Sequence, residues 1–238
     1  MKPSIKIFFV LTILLVISAV ALVVFNVQSV TTPIHFTDEK DAREQKVIEA
    51  LVNIRKAELE YKNQKGQYTE SFDTLVAFIK NGKMKQVKKE GTLTDEQLEK
   101  GLTEAKALAI VKKGNAKEIA EWGLQGFSRD TAYVDVLPAL FEGIYDANTI
   151  NNIRYIPFSD KVDGKKKEFE LRTGVQEKNG IKLPLFEAKA SYESYLGDLD
   201  HQELVNLKEI QEELGRYAGL MVGNADEPNN NAGNWEIS

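Results

Sequence analysis

The chain has 238 residues, of which 42% are hydrophobic and 28% charged, and its net charge is −5. This composition is sufficient to bury a core and excludes wholesale disorder, while the mildly acidic balance argues against a nucleic-acid partner. Because cysteine is absent and only His35 and His201 are present, disulfides, thiolate metal sites, cysteine nucleophiles and histidine-rich metal sites are excluded or unexpected.

The first 27 residues predict a transmembrane anchor with a short cytoplasmic N-terminus. Nineteen uncharged residues follow Lys6, and about 20 apolar residues span the hydrocarbon core of a bilayer. Lys2 and Lys6 precede this run, so the positive-inside rule places the rest of the chain outside the cytoplasm. The prediction is a single-pass protein of a bacterial inner membrane, with most of the chain in the periplasm.

Within the predicted anchor, Phe8, Leu14 and Phe25 are expected to contact membrane lipid. Two alternatives remain open. Ala19-Val20-Ala21 fits the small-x-small pattern of a cleaved signal peptide, although the apolar run continues to Phe25. A helix buried in a protein core is the second alternative.

Residues 28–37 are polar, contain Pro33 and predict a linker, after which Thr37 or Asp38 would cap a new helix. That helix is expected to extend to about Asn63. Its apolar residues recur at steps of three and four and form one stripe. They are Val47, Ala50, Leu51, Ile54, Ala57 and Tyr61. The stripe indicates either packing on the chain's own domain or a partner-contact surface made by Val47, Leu51, Ile54 and Tyr61.

Residues 38–129 predict a helical region with a break at Gly66. A second helix is expected after the break, with Phe72, Leu75, Val76 and Ile79 buried and Gly82 as a left-handed cap.

Five lysines between positions 80 and 89 indicate a solvated strand or loop face, with a phosphate or lipid-headgroup patch as the alternative. Thr94 and Gln97 fit a capping box at the start of one helix extending to about Lys113.

Residues 130–238 predict an antiparallel α+β region. The strand-like segments are "TAYVDVL", "IRYIPF", "KEFELRT", "KLPLFEAKAS" and "YAGLMVG". Asn179-Gly180 is typical of a hairpin turn, and Asp200 can cap a final helix. The predicted fold class is therefore α+β: a transmembrane helix, a helical front half and an antiparallel β-meander with a packed C-terminal helix, pilin-like or ferredoxin-like in kind.

Familiar catalytic motifs are missing from the sequence, which predicts a protein that is not an enzyme and has no cofactor. Glu168 and Glu170 lie on one face of a predicted strand, which is usually the solvent face, and His201 has no evident partner. In the tail, Asp226, Glu227 and Asn229 are a weak calcium candidate, because calcium prefers carboxylate and amide oxygens on flexible backbone. Ordinary turns are the alternative.

The spacing Ala57-x3-Tyr61, Gly66-x-Tyr68, Ser71-x-Asp73-x-Leu75 resembles the segment after the long helix of type IV pilins and type II secretion pseudopilins. In those families an apolar N-terminal helix continues into an amphipathic one, and a turn leads to a small antiparallel sheet. The resemblance covers residues 5–80. No glycine precedes the apolar run and no glutamate lies within it, so the prepilin peptidase motif is missing. The back half resembles single-anchor bacterial envelope proteins of no known activity.

The resemblance implies a non-enzymatic, membrane-anchored component of a pilus- or secretion-like envelope assembly. Its expected partners are membrane lipid and either other envelope proteins or further copies of itself, with no nucleic acid. The alternative is a periplasmic ligand-binding or sensory domain on a single anchor, which would require a concave pocket with converging polar groups.

Overall fold

The computed structural model describes residues 5–178 and 180–236, and it confirms an α+β fold with one long N-terminal helix and two small antiparallel sheets. The helices are α1 (Ile5–Lys65), α2 (Phe72–Asn81), α3 (Asp95–Glu99), α4 (Glu104–Lys113), α5 (Ala116–Glu121), α6 (Val136–Phe141), α7 (Ser159–Asp163), α8 (Tyr192–Leu196) and α9 (His201–Glu213), with a 3₁₀ turn at Ile150–Arg154. The strands are β1 (Lys83–Glu90), β2 (Ser128–Asp135), β3 (Glu170–Lys178), β4 (Ile181–Ser191) and β5 (Gly219–Gly223).

Helix α1 continues without interruption through the predicted linker, so the prediction of a break over residues 28–37 is wrong. Pro33 removes one backbone donor, but its fixed φ is helical. Neighbouring hydroxyls bond back to the helix, as when Thr31 donates to the Val27 carbonyl at 3.0 Å and Thr37 donates to the Pro33 carbonyl at 2.9 Å. The polar composition of residues 28–37 is therefore compatible with a continuous helix.

The chain divides into two compact units, one formed by residues 1–75 and 151–238 and the other by Val76–Ile150. This division differs from the predicted boundary near residue 130. In the first unit, β3, β4 and β5 form an antiparallel sheet in that order, with pairs such as Glu170↔Lys189 and Ala188↔Val222. The second half of α1 packs on β4, β5 and α8, and its buried side chains form the core with Phe186, Tyr195 and Leu196.

The predicted break at Gly66 is confirmed. Gly66 has φ +78°, a left-handed conformation that glycine adopts without steric cost. Tyr68 then packs on Phe186 with ring centroids 4.8 Å apart. Gly82 does not have the positive φ expected of a left-handed cap, so that prediction is wrong. A Cβ at Gly82 would lie 2.5 Å from the Phe78 carbonyl oxygen, so close approach explains this glycine.

In the second unit, β1 and β2 form a two-stranded antiparallel ribbon from Lys83↔Asp135 to Glu90↔Ser128. The lysine-rich segment is thus an exposed strand. The Thr94–Gln97 capping box is confirmed, but the expected single helix is two, α3 and α4. Gly101 at φ +77° separates them, and Thr103 caps α4 by accepting a hydrogen bond from the Lys106 amide.

The predicted meander is partly wrong. Strands β3 and β4 form the predicted hairpin, whose ladder reaches Lys178↔Ile181, and the predicted last strand, β5, pairs with β4. Asn179 of the predicted turn lies outside the described residues. The segment "IRYIPF" is not a strand: its first two residues end the 3₁₀ turn, and Tyr155 makes one isolated bridge to Glu168. The "TAYVD" part of "TAYVDVL" pairs with β1 instead. A period-two pattern does not specify the partner strand.

Candidate functional site

The N-terminal half of α1 exposes apolar side chains on every face. Phe8, Leu14 and Phe25 are 67%, 56% and 73% exposed, and the first residues of α1 to be partly covered are Thr32 and Pro33, ahead of the buried Phe36. A helix that is apolar all round and that no other described residue covers suits lipid rather than water. This helix is long and apolar enough to cross a membrane, as an anchor or as a signal sequence.

The C-terminal half of α1 has the opposite character. Val47, Leu51 and Ile54 have no exposed surface, and Tyr61 is half-buried. Val47, Leu51 and Ile54 pack within the chain's own domain, so these three residues offer no surface on which a partner can lie. The expectation of a partner contact is therefore corrected for these three residues, which pack in their own domain, and it stays a prediction for Tyr61.

Arg43 fastens the start of this buried half to the loop after α8. Its guanidinium donates to both carboxylate oxygens of Asp198, at 2.5 and 2.9 Å, and to the Tyr195 carbonyl at 2.8 Å. The Arg43 side chain is 5% exposed, so the bidentate pair is largely shielded from water. The hydrogen bond from Arg43 lowers the pKa of Asp198 below its usual value. The pair holds α1 against a segment about 155 residues later in the chain.

A second tie joins α1 to the C-terminal segment. Arg55 donates to Glu236 at 2.9 Å and to the Asn231 carbonyl at 3.1 Å. The same segment covers the free edge of β5, because Val222 bridges Gly233 and the Asn234 amide group donates to the Gly219 carbonyl. The helix, the sheet and the tail are thereby one packed body.

Glu58 is a fully buried carboxyl group on the apolar stripe of α1. One oxygen accepts the Thr69 amide at 3.1 Å, and the other has no hydrogen-bond partner within the described residues. Burial raises the pKa of Glu58 to about 8, because the charged form loses its hydration. The group is therefore an uncharged acid near neutral pH that fixes the turn after Gly66 to the helix.

A cleft of about 440 Å³ lies between α1, α9 and β5. Its walls combine three aromatic rings, Tyr192, Tyr217 and Trp235, with polar groups. The polar side chains in the walls are Glu44, Gln211, Arg216 and Asn234. Apolar walls with a few converging polar groups are the usual composition of a small-molecule site.

Partial burial shifts the pKa values of ionisable side chains that line the cleft. Burial raises the pKa of Glu44, and Lys40, 3.1 Å away, opposes that rise. Burial also raises the pKa of Tyr217 to about 12, and the Lys189 ammonium lies 5.3 Å from the centre of its ring. Tyr195 is fully buried behind this cleft, and its hydroxyl has no hydrogen-bond partner in the described part of the chain.

The other predicted polar candidates lie apart from this cleft. Glu168, Glu170 and His201 are exposed, as the sequence predicted. Glu168 accepts from Arg154 at 3.4 Å, and Glu170 pairs with Lys189 at 3.4 Å. Over residues 5–178 and 180–236, no three acidic or histidine side chains form a group that could hold a metal ion.

The calcium candidate residues form an ordinary turn. Asn224 accepts from the backbone amides of Asp226 and Glu227, at 2.8 and 3.0 Å. Asp226 faces Arg172 at 3.5 Å, and the Asn229 side chain donates to the Ala232 carbonyl at 3.1 Å. The side-chain oxygens of this segment do not converge on a common point with the charge that calcium needs, so the structure favours the turn alternative.

Sequence reasoning missed Arg43, Glu58 and the cleft. The first two carry a weak signal, because a charged residue at a stripe position of an amphipathic helix breaks the polar–apolar pattern. The cleft carries none, since its walls come from segments almost 200 residues apart.

No family model, no curated protein and no solved structure matches this chain.

Proposed function

We propose that the chain is a non-enzymatic component of a bacterial envelope assembly, anchored in the inner membrane by the first half of α1 with its folded body on the periplasmic side. The observation that carries the proposal is the continuity of α1, a single 61-residue helix whose exposed apolar half leads directly into the buried half that forms the domain core. A flexible tether would leave the body free to reorient, whereas a continuous helix transmits its position to the body.

The geometry of the passage between the two halves supports this role. About ten residues separate the end of the apolar run at Phe25 from Phe36, where the helix becomes covered. At 1.5 Å per residue the body stands about 15 Å beyond the hydrocarbon. Arg43 then fixes the body to the helix through Asp198. A long N-terminal helix that ends at a glycine turn is also what the pilin-like spacing implies.

The proposal is tested by expressing the full chain in a bacterial cell and separating soluble, peripheral and integral membrane fractions. We expect an uncleaved polypeptide that resists alkaline carbonate extraction and a body that external protease digests only after the outer membrane is permeabilised. A mature polypeptide trimmed near Ala21 and recovered in the soluble fraction would contradict the anchor. Photo-reactive residues at exposed positions then test for assembly partners, and capture of no other envelope protein and no second copy would contradict an assembly role.

A second candidate function is a ligand-binding or sensory module, and the cleft lined by Tyr192, Tyr217 and Trp235 is the observation that favours it. Aromatic rings beside amide, carboxylate and guanidinium groups suit a sugar, which presents both apolar C–H faces and hydroxyls. The test is a thermal-shift and NMR titration of the full chain in detergent with soluble cell-wall glycan fragments. The comparison variant is Tyr217→Ala, and the control is Tyr133→Ala, which removes an exposed tyrosine from the other unit. Equal responses from all three proteins would reject the cleft as the site.

A further inference from the structure

One face of the exposed half of α1 carries a heptad stripe of β-branched residues. Val16, Val20, Val23, Val27, Val30 and Ile34 follow one another at alternating steps of four and three, which is the spacing of a helix–helix seam. We call these six residues the seam. Inside the bilayer such a stripe is unremarkable, since every face of the helix is apolar there.

The part of the seam beyond the apolar run is informative. Residues 26–35 read "NVQSVTTPIH", and their three aliphatic side chains are all seam residues. Val27, Val30 and Ile34 are 55%, 61% and 56% exposed. In the proposed anchor, lipid tails cover the run up to Phe25, and the chain's own domain covers one face of the helix from Phe36 onward. Three aliphatic side chains on one face therefore remain uncovered between lipid and domain.

The seam faces away from the chain's own domain. At about 100° per residue, Val30 and Ile34 lie about 120° to 160° around the helix from Thr32 and Phe36. Those two residues are on the covered side, where they line a hollow with Leu199 and Asp200. A second helix can therefore pack along the seam without displacing the domain.

A second copy of this chain can pack on the seam, because its helix would run parallel, lie at the same membrane depth and carry no opposing charge. Copies anchored in one membrane have parallel helices at the same depth, so each seam residue meets its own equivalent. No Asp, Glu, Lys or Arg occurs between Lys6 and Asp38, so no like charges oppose the contact. The seam ends at Ile34, and Asp41, at the second position beyond it in the repeat, would place carboxylates together. Helical packing is thus favourable up to the point where the domain begins.

We infer that copies of this chain associate in the membrane as a parallel, in-register bundle of three helices through the seam. This inference rests on the proposed membrane anchor and names the chain itself as a partner. More than two strands are expected, because β-branched residues occupy both the a positions (Val20, Val27, Ile34) and the d positions (Val16, Val23, Val30), a combination that disfavours two-stranded coils. Three is the smallest such bundle.

The absence of cysteine allows a clean cross-linking test on the full chain. Val30→Cys is on the seam, and Ser29→Cys, one residue earlier, is exposed on another face. Each variant is purified, reconstituted alone into bilayers and oxidised under identical conditions. A disulfide needs Cα atoms within about 7 Å, which equivalent seam residues satisfy. We expect at least tenfold more cross-linked product for Val30→Cys, and equal yields would overturn the inference.

A second pair of variants tests the seam through packing. Adding Val27→Asp to the Val30→Cys chain is expected to lower the cross-linked fraction at least fivefold, because it introduces a charge into the seam. Adding Ser29→Asp, the matched charge on another face, is expected to leave it unchanged. An equal loss with both substitutions overturns the inference.

The native mass of the solubilised chain supplies an independent readout. Three copies of the 26.8 kDa chain are expected after subtraction of bound detergent. A mass of one copy overturns self-association, and a mass of two copies overturns the three-helix arrangement. Because the reconstituted chain is alone, failure here leaves the fractionation result of the proposed function intact, whereas a soluble, trimmed polypeptide would remove both.

Discussion

The two halves of α1 show how one helix can present two different kinds of apolar surface. Leu14 and Leu51 are chemically identical, yet Leu14 is 56% exposed and Leu51 has no exposed surface. Around Leu14 every face is apolar and nothing in the part of the chain that the structure describes covers it, whereas around Leu51 an apolar stripe packs on a sheet and the opposite face is charged. The pattern around a residue, and not its hydrophobicity, decides whether lipid or protein is its environment.

The comparison also separates the energetic roles of the halves. Buried leucine stabilises the fold by leaving water and by filling space among neighbours. An uncovered leucine contributes to the fold of the body only through its helix, and in the proposed anchor its contribution is to membrane insertion. A substitution in the second half should therefore be followed by the free energy of unfolding, and one in the first half by membrane fractionation.

The largest expected effect is that of truncating the buried half. Leu51→Ala should lower the free energy of unfolding of the body by about 2–5 kcal/mol, because a large core side chain leaves a cavity. Leu14→Ala, the matched change in the exposed half, should alter it by less than about 0.5 kcal/mol. Urea unfolding of the full chain in detergent, followed by circular dichroism, measures both, and comparable losses would contradict the division of α1.

The second effect concerns insertion. Leu14→Arg places a charge near the middle of the apolar run, which costs about 2.5–3.5 kcal/mol on insertion scales. We expect most of the variant to leave the integral membrane fraction while the body keeps its melting temperature. Glu49→Arg, on the exposed side of the second half, is the control and should remain integral. An unchanged distribution of Leu14→Arg would show that lipid does not surround this residue.

Local periodicity predicted much of this helix but not its continuity. The stripe from Val47 to Tyr61 and the break at Gly66 follow from side-chain spacing and from the conformational freedom of glycine, both of which are local properties. The linker prediction failed because Pro33 does not end the helix. Proline removes only one backbone hydrogen bond, and the long helix around it, in which threonine hydroxyls bond to backbone carbonyls, tolerates that loss.

Long-range features lie beyond such reasoning. The Arg43–Asp198 pair joins residues 155 positions apart, and the cleft unites Glu44 with Trp235. The segment "IRYIPF" alternates like a strand but makes only one bridge, because its neighbours in space and not its own sequence decide its pairing. Sequence therefore revealed which surfaces are apolar, and the fold revealed which of them are covered.

The third prediction uses the buried acid of the second half. The folded pKa of Glu58 is about 8, above its ordinary value near 4.5, so between these values the folded chain keeps a proton that the unfolded chain releases. The stability of the folded state consequently falls as pH rises through this window and levels off above it. At about 1.4 kcal/mol per pH unit, the contribution of Glu58 between pH 4.5 and 6 is about 2 kcal/mol.

Glu58→Gln should remove this contribution, because glutamine keeps the acceptor for the Thr69 amide and does not ionise. The measurement is the difference in unfolding free energy between wild type and variant at pH 4.5 and pH 6, which should move by about 2 kcal/mol in favour of the variant. Glu49→Gln, an exposed glutamate on the same helix, should show no such change. A pH-independent difference for Glu58→Gln would mean that the carboxyl is hydrated in solution.

The smallest predicted effect tests the boundary between the two halves. Asp200 caps α9 by accepting the Glu203 amide at 3.1 Å, and with Leu199 it lines the hollow at Thr32 and Phe36, where α1 first becomes covered. Asp200→Ala should cost about 1 kcal/mol of unfolding free energy, and Asp200→Asn, which retains a capping oxygen, only a few tenths. Amide hydrogen exchange locates the change: the first turn of α9 should exchange faster in Asp200→Ala, and so should the backbone of α1 just after Phe36. If exchange in α1 instead stays at the wild-type rate while α9 frays, the cover over α1 does not depend on α9, and the boundary is set by Arg43 and its partners alone.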